Sequence, residues 1–399
     1  ELQSFITLED LQPKARDLAE WVIDKLVKHL ELDRSEIDIN LSFFEYGVDS
    51  IAVMRMTGAL EQHLNHRLPA SLFWDYPTIA ELAGTLCNDL SVLGEQYDAT
   101  PLTASSDTIS QHDPFPLSEI QQAYWFGRGD TFELGNVSAH YYVEFDTPDL
   151  DIERFEASWH QLINRHGMLR AVMLPDGRQV ILDSVEAYKI DFIDLADEET
   201  LLREQVITAN RDEMANRVHD PEAWPLFEIK VFKLPRQYRI CLGIDMLIAD
   251  LESIVLLLKE LYEFYHHAGF KPEPLQFSYR DYINTLEQSH VGSHYEEALK
   301  YWRNRLPNLP GAPLLPLAKS PRDVKKPEFQ RYLGRLTQEQ WQSLKSRCRN
   351  IGVTPSMVLC AVYAEVLGNW SRNDRFLINL VLFSRQPYHQ DVDSLVGDF

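Results

Sequence analysis

Basic residues are in short supply. Lys and Arg number 38 against 61 Asp and Glu, giving a formal net charge of -23 and a pI near 4.9, which argues against a nucleic-acid or other polyanionic partner. Cysteine is scarce as well. Cys87, Cys241, Cys348 and Cys360 are widely separated and share no metal-ligand spacing. No apolar run approaches the length that crosses a bilayer, and the start shows no basic stretch followed by an apolar one. These absences predict a cytoplasmic protein with reduced thiols, no membrane partner and no metal. Because the chain opens at Glu1 and stops at Phe399 just after an apolar stretch, a piece of a larger polypeptide is expected.

What is present divides in two. A chain of 399 residues is comfortable for two or three cores. Helical periodicity runs to Leu90, then "YDATPLTASSDTISQHDPFP" replaces it with Pro, Ser, Thr and Asp, as a linker requires. The expected organisation is a small unit over 1–90, a linker over 91–113 and a large unit over 114–399. In the small unit Leu18, Val22 and Leu26, with Trp21 beside them, give one helix an apolar face. Ile51, Met54 and Leu60 do the same for a second, and "DYPTIAELAGTL" opens the last, with Pro77 near its start. This predicts a small helical bundle with Phe43 and Phe44 as packing anchors in a long first loop. Through Leu90 it holds 16 acidic and 7 basic residues, a net of -9.

"GVDSIAVMRM" sets Asp49 and Ser50 directly before the second apolar helix. Ser50 suits an N-cap without any chemistry. As a nucleophile it lacks a nearby His and a strained G-x-S-x-G elbow. As a modification site it would hold a phosphodiester at a helix N-terminus, where free N–H groups and the helix dipole favour negative charge.

The large unit mixes elements. "SAHYYVEFD", "RQVILD", "FEIKVFKL" and "YRICLGIDM" read as strands, while "DIERFEASWHQLINRHGMLRAVM" and "LESIVLLLKELYEFYHH" read as helices. Layered α/β packing follows, with helices covering a sheet face. "CLGIDMLIADLESIVLL" places Asp245 at a strand end, Asp250 at a helix start and Ser253 one turn inside, a D-x-x-x-x-D-x-x-S spacing. Two close carboxylates could share a proton, activate an amine or bind a metal. Equally, Asp250 suits a helix cap and Asp245 a buried arginine's partner. His266 and His267 sit where a helix ends, and capping or solvent contact is expected of them. Trp21, Trp159 and Trp302 read as core aromatics.

"FFEYGVDSIAVMRMTGALEQHL" followed by "WDYPTIAELAGTL" resembles an acyl or peptidyl carrier domain, whose Asp-Ser motif opens the second helix. The resemblance implies that Ser50 receives covalent 4′-phosphopantetheine and that Asp49 helps present it to a phosphopantetheinyl transferase. The large unit resembles the heterocyclization subtype of condensation domains in nonribosomal peptide synthetases. That subtype carries D-x-x-x-x-D-x-x-S, matched by Asp245, Asp250 and Ser253. "FPLSEIQQAYWFGR", "RHGMLRAV", "LPNLPGAPLLPL", "TPSMVLCAVYAEVLGNWS" and "FLINLVLFSRQPYHQDVDSLVGDF" resemble its other motifs in order.

The implied fold is a four-helix carrier bundle followed by an α/β condensation-type domain with chloramphenicol-acetyltransferase-like lobes, the second incomplete in this chain. The implied activity joins a carrier-tethered acyl or aryl thioester to carrier-bound Cys, Ser or Thr, then closes a thiazoline or oxazoline with loss of water, as in siderophore assembly. An upstream acyl- or aryl-loading enzyme and downstream peptidyl carrier and adenylation domains are the implied partners. Asp398, in the "GDF" match, is the candidate acid, with Asp245 and Asp250 as further catalytic or supporting carboxylates. Arg128, Tyr124, Ser253, Asn379 and Ser384 are expected to line or support the tunnel. Where the family reads N-x-T-x-F-N, this chain has Asn379, Val381, Phe383 and Ser384, and valine neither donates nor accepts a hydrogen bond. That departure keeps two alternatives open, amide condensation without ring closure and a noncatalytic docking scaffold.

Overall fold

The computed structural model describes residues 6–30, 33–46, 48, 50–64, 66, 68, 72–88, 113–129, 134–135, 137–289, 293–324, 327, 332–351, 353–380, 385–386 and 388–399. Contacts group residues 1–103, 301–317 and 331–387 in one unit and residues 104–300, 318–330 and 388–399 in another. Apart from Asp113, the expected linker lies outside the described residues.

In the first unit the chain forms α1 (Pro13–Leu30), α2 (Ser50–Leu64), α3 (Leu72–Asp75) and α4 (Ile79–Asn88). The helical spacing of Leu18, Val22 and Leu26 puts all three on a buried face of α1. Val53, Met56 and Leu60 from α2 and Ile79, Leu82 and Leu86 from α4 complete one core. Of the expected α2 face, only Leu60 has a described side chain. The loop between α1 and α2 is tied down locally. Phe43 is fully buried and meets the Phe73 ring edge-on at 4.8 Å; its N–H donates to Pro77 O at 2.8 Å. The side chains of Phe44 and Trp74 lie outside the described set. Further along this unit come α11 (Gln338–Asn350) and α12 (Pro355–Trp370), the latter capped by Thr354, whose hydroxyl accepts from Met357 N at 3.2 Å.

The second unit contains β1 (Phe115–Pro116), α5 (Glu119–Gly127), β2 (His140–Thr147), α6 (Ile152–Arg165), β3 (Ala171–Met173), β4 (Arg178–Ile181), β5 (Asp191–Asp194), α7 (Thr200–Ala215), β6 (Phe227–Lys233), β7 (Tyr238–Asp245), α8 (Leu251–His266) and α9 (Tyr279–Ser289). Helix α10 (Ser293–Arg305) follows. The main sheet has the order β2-β7-β6-β5, antiparallel except for the β5–β6 pair. Strand alternation divides its residues between two faces. Ile229, Val231, Leu242 and Ile244 join Trp159, Leu162, Ile254 and Leu257 of α6 and α8 in one core. Phe232 and Cys241 point the other way and pack with Ile207 and Met214 of α7. A second sheet, β1-β4-β3, is antiparallel throughout.

Two expectations are corrected here. The helix read over 151–173 stops at Arg165; residues 167–170 form a 3-10 turn and 171–173 become β3. A Cβ on Gly167 would meet Ile181 Cδ1 at 3.1 Å, so the turn lies tight against β4 and delivers the chain to that strand. Trp159 and Trp21 pack on their cores, but Trp302 is 53% exposed. Its neighbour in α10 is the Arg305 guanidinium, 6.0 Å from the ring centroid.

Trp159 is 1% exposed and its ring meets Phe227 edge-on at 5.3 Å, bridging α6 to β6. Trp159→Ala is expected to destabilise the second unit by about 3–5 kcal/mol. A urea titration followed by hydrogen exchange of β6 and β7 amides checks this. An unchanged midpoint would contradict the packing described.

Candidate active site

Three sequence-distant pieces converge beyond the end of β7. Asp245 closes the strand, residues 246–249 turn, and Asp250 begins α8 as its N-cap, accepting from Ser253 N at 2.7 Å. The cap satisfies a donor that the first helical turn leaves free.

Asp245 is fully buried, and its charge is met from three sides. Arg128 Nη2 lies 2.5 Å from both carboxylate oxygens, Ser138 Oγ donates at 2.9 Å and Leu247 N at 3.0 Å. Arg128 leaves the end of α5 with its side chain only 7% exposed, and its Nη1 donates to His219 O at 3.0 Å. Removing one partner of such a pair strands the other charge, typically at about 3–5 kcal/mol. Gln121, fully buried on α5, secures the same turn by donating to Leu247 O at 2.6 Å while exchanging amide bonds with Gln179.

The third piece is the segment 395–399. Gly397 O accepts from Asp250 N at 2.9 Å and from Ser253 Oγ at 2.8 Å, and Gly397 N donates back to Ser253 Oγ at 3.0 Å. A Cβ on Gly397 would collide with the Tyr279 ring, so glycine is what permits this approach. The next carbonyl, Asp398 O, accepts from Tyr279 Oη at 2.5 Å and from Ser118 Oγ at 3.4 Å. The Asp398 carboxyl is thereby fixed in the interior at 3% exposure, and its Oδ2 has no hydrogen-bond partner among the described residues.

Burial, with the carboxylates of Asp250 and Asp245 adding to it, pushes the Asp398 carboxyl up to about 8. At neutral pH it is mainly a neutral acid with a proton to give. Tyr124, half-buried on α5, is also raised, first by burial and then by Asp398 and Asp250.

Asp245, Asp250, Ser253, Arg128, Tyr124 and Asp398 therefore belong to one unit and one neighbourhood. Asn379 is exposed in the other unit, and Asp49 and Ser384 lie outside the described residues, as do Val381 and Phe383. Sequence reading missed Ser118, Ser138, Gln179 and Tyr279, whose partners here are 280, 107, 58 and 119 residues away. His166 is buried and bonded through Nε2 to Glu260 at 2.7 Å, with Arg165 on the other oxygen at 3.1 Å. Burial pushes the Glu260 carboxyl up, but His166 and Arg165 outweigh it and hold it below the ordinary range. A cavity of about 220 Å³ opens beside His166, bounded by Tyr279, Leu395 and Val396. His266 ends α8 and His267 pairs with Glu263 at 2.8 Å. Among the described residues no group of three or more His, Cys, Asp or Glu could hold a metal ion, and no helix is long and apolar enough to cross a membrane.

The carrier-side residue sits at a different helix start. Val48 is fully buried and its N–H donates to Phe43 O at 3.2 Å, so the chain enters α2 at Ser50 from a fixed point. A 15-residue helix opening at a serine fits a phosphodiester, which its first-turn N–H groups and dipole favour.

The raised Asp398 carboxyl has a consequence for stability. In the unfolded chain it titrates near 3.8 and in the fold near 8, so the fold binds the extra proton between these values. Its stabilisation is full below pH about 4 and is lost as pH rises through about 8. The difference in unfolding free energy between wild type and Asp398→Asn is expected to change with pH across that window, approaching about 1.4 kcal/mol per unit. Denaturant titrations from pH 4 to 9 check this. A pH-independent difference would contradict a buried neutral acid.

Comparison with known proteins gives two family matches. The Condensation domain family matches residues 111–399, and the Phosphopantetheine attachment site family matches residues 20–86. Bacitracin synthase 1 of Bacillus licheniformis is 36% identical over 362 residues, 90% of this chain and 7% of that protein. Phenyloxazoline synthase MbtB of Mycolicibacterium paratuberculosis is 32% identical over 390 residues, 96% of this chain and 32% of that protein. The chain thus spans a third or less of these two relatives' length. The crystal structure of the EpoB cyclization-docking bidomain of a nonribosomal peptide synthetase from Sorangium cellulosum superposes with a TM-score of 0.70 at 34% identity, covering 80% of this chain and 64% of that one. A helical phosphopantetheine-bearing carrier therefore precedes an α/β condensation fold, and the chain belongs to the condensation-domain family of nonribosomal peptide synthetases.

Proposed function

We infer that the chain condenses a carrier-tethered acyl or aryl thioester with carrier-bound Cys, Ser or Thr and then closes a thiazoline or oxazoline ring, in the assembly of a siderophore or a related peptide. The observation that carries this reading is Asp398, a buried carboxyl held neutral beside the Asp245–Arg128 pair and the Asp250–Ser253 cap. The D-x-x-x-x-D-x-x-S spacing and the likeness to an oxazoline synthase and a cyclization bidomain support it. We read residues 1–90 as the carrier, 91–113 as its linker and 114–399 as the condensation portion.

When bound, 4′-phosphopantetheine supplies a flexible arm whose thiol presents acyl groups as thioesters. Ser50 is the residue we assign to hold it, with Asp49 helping a phosphopantetheinyl transferase to recognise the site. Amide formation joins the amine nitrogen to the thioester carbon and releases the thiol. Ring closure adds the side-chain sulfur or oxygen to the amide carbon. Loss of water from that adduct then needs a proton on the departing oxygen. Asp398 holds such a proton in the mainly neutral carboxyl, and the proton leaving nitrogen as C=N forms can restore it. Asp245 and Asp250 serve this step from behind: the first orders Arg128 and the turn, the second caps α8, and the negative charge of both keeps Asp398 protonated. Tyr124 and Ser253 flank the acid. Asn379 and Ser384 are proposed as tunnel support. An upstream acyl- or aryl-loading enzyme and downstream peptidyl carrier and adenylation domains are the partners this chemistry requires.

A second reading, amide formation without ring closure, is favoured by Val381 and Ser384, which leave the late motif without a Thr hydroxyl and an Asn amide. Product mass separates the two, since only cyclodehydration loses water.

Two outcomes are expected. Ser50→Ala should abolish the phosphopantetheine mass increment after incubation with coenzyme A and a broad-specificity transferase, while the circular dichroism of the carrier helices is retained. Normal loading of that variant would remove the assignment. With loaded donor and acceptor, Asp398→Asn should slow ring closure by roughly 10²–10⁴-fold, so that the uncyclised amide accumulates. An unchanged ratio of ring to amide would contradict the role given to Asp398.

A further inference from the structure

The cavity of about 220 Å³ beside His166 has no part in the chemistry assigned to Asp398. Met168, Ile181, Phe277 and Leu395 give it apolar walls, and all of these but Phe277 are buried. Arg165 and Arg170 line it too, against a single lining carboxylate, Asp281. All of these residues belong to the second unit.

The charges around the cavity are unequally answered. Arg165 Nε donates to the Glu260 carboxylate at 3.1 Å, and Asp281 Oδ2 accepts from Ser278 N at 2.9 Å and Ser278 Oγ at 2.6 Å. Arg170 differs. Its Nε donates to Leu182 O at 3.1 Å, and its Nη1 donates to Ile163 O and, at 3.2 Å, to Asn164 O. These acceptors are neutral carbonyls; Arg170 forms no ion pair with a described residue, and its Nη2 donates to none of them. Burial pushes its pKa down, and Asp183 opposes this only through space. A guanidinium drawn partly out of water without a bonded counter-charge is a group that an anion stabilises.

The charge and shape of the occupant follow. One unanswered guanidinium calls for one negative charge, because a second would stay unpaired beside apolar walls. Its planar fork matches a carboxylate. A cavity of roughly 150 Å³ holds a benzene ring, so this one suits a six-membered ring or a chain of similar size. We propose that the cavity binds a free, small monocarboxylic acid, with the carboxylate on Arg170 and the apolar body against Met168, Ile181, Phe277 and Leu395. An acyl group tethered as a thioester has no carboxylate left to offer, so the occupant is a separate molecule from the groups being joined.

Methyl NMR of the full chain, with ¹³C in the Met ε and Ile δ1 methyls, tests this. Cyclohexanecarboxylate is the probe, and cyclohexanecarboxamide, of similar shape without the charge, is the control. In about 0.1 M salt the acid should shift the Met168 and Ile181 methyls saturably, with a Kd below about 1 mM. Met214 and Ile207, packed on the opposite face of the main sheet, should not move. The amide should bind at least about tenfold more weakly, and Arg170→Gln should weaken binding of the acid to the same degree. No saturation by about 10 mM, an amide that binds as tightly as the acid, or equal shifts at Met214 and Ile207 would overturn the proposal. So would tighter binding of inorganic phosphate than of the acid. The wild-type comparison of acid with amide needs no variant, so misfolding of Arg170→Gln leaves the test intact.

Discussion

The two-way hydrogen bond between Ser253 and Gly397 holds the candidate site together. One hydroxyl donates to the Gly397 carbonyl and accepts from its N–H, binding the start of α8 to a segment 144 residues later in the chain. Because Asp250 N also donates to Gly397 O, the segment lies along the helix start. The following residue, Asp398, has its carboxyl in the interior. Tyr279 enforces the same path from the other side, occupying the space that any side chain at 397 would need and bonding Asp398 O.

That placement turns three carboxylates with one chemistry into groups with different duties. Asp245 remains a useful buried charge because Arg128, Ser138 and a backbone N–H answer it. Asp250 spends an oxygen on the helix cap. Asp398 is left with desolvation and two negative neighbours, and takes a proton instead. A neutral acid in a dry setting is the kind of group that departure of an oxygen as water calls for.

Much of this was legible locally. Strand alternation in "YRICLGIDM" and the cap signal at Asp250 place the D-x-x-x-x-D-x-x-S residues at a strand end and helix start, and the α1 stripe of Leu18, Val22 and Leu26 identifies the carrier core. What was not legible depends on distant partners. Nothing near Ser253 announces Gly397, and nothing near Asp398 announces Tyr279. The helix read through "RHGMLRAV" failed because β3 exists only when β4 pairs with it. Residue type alone favours a core position for Trp302, yet it rests beside Arg305 and is 53% exposed.

The chemistry assigned to this site depends on the protonation state of Asp398. A ¹³C NMR titration of its side-chain carboxyl, assigned by difference from Asp398→Asn, reads that state directly. The structure predicts a midpoint near 8. A midpoint near the ordinary value of 3.8 would mean that the carboxyl is solvated or paired, and it would contradict both the buried acid and the chemistry assigned to it.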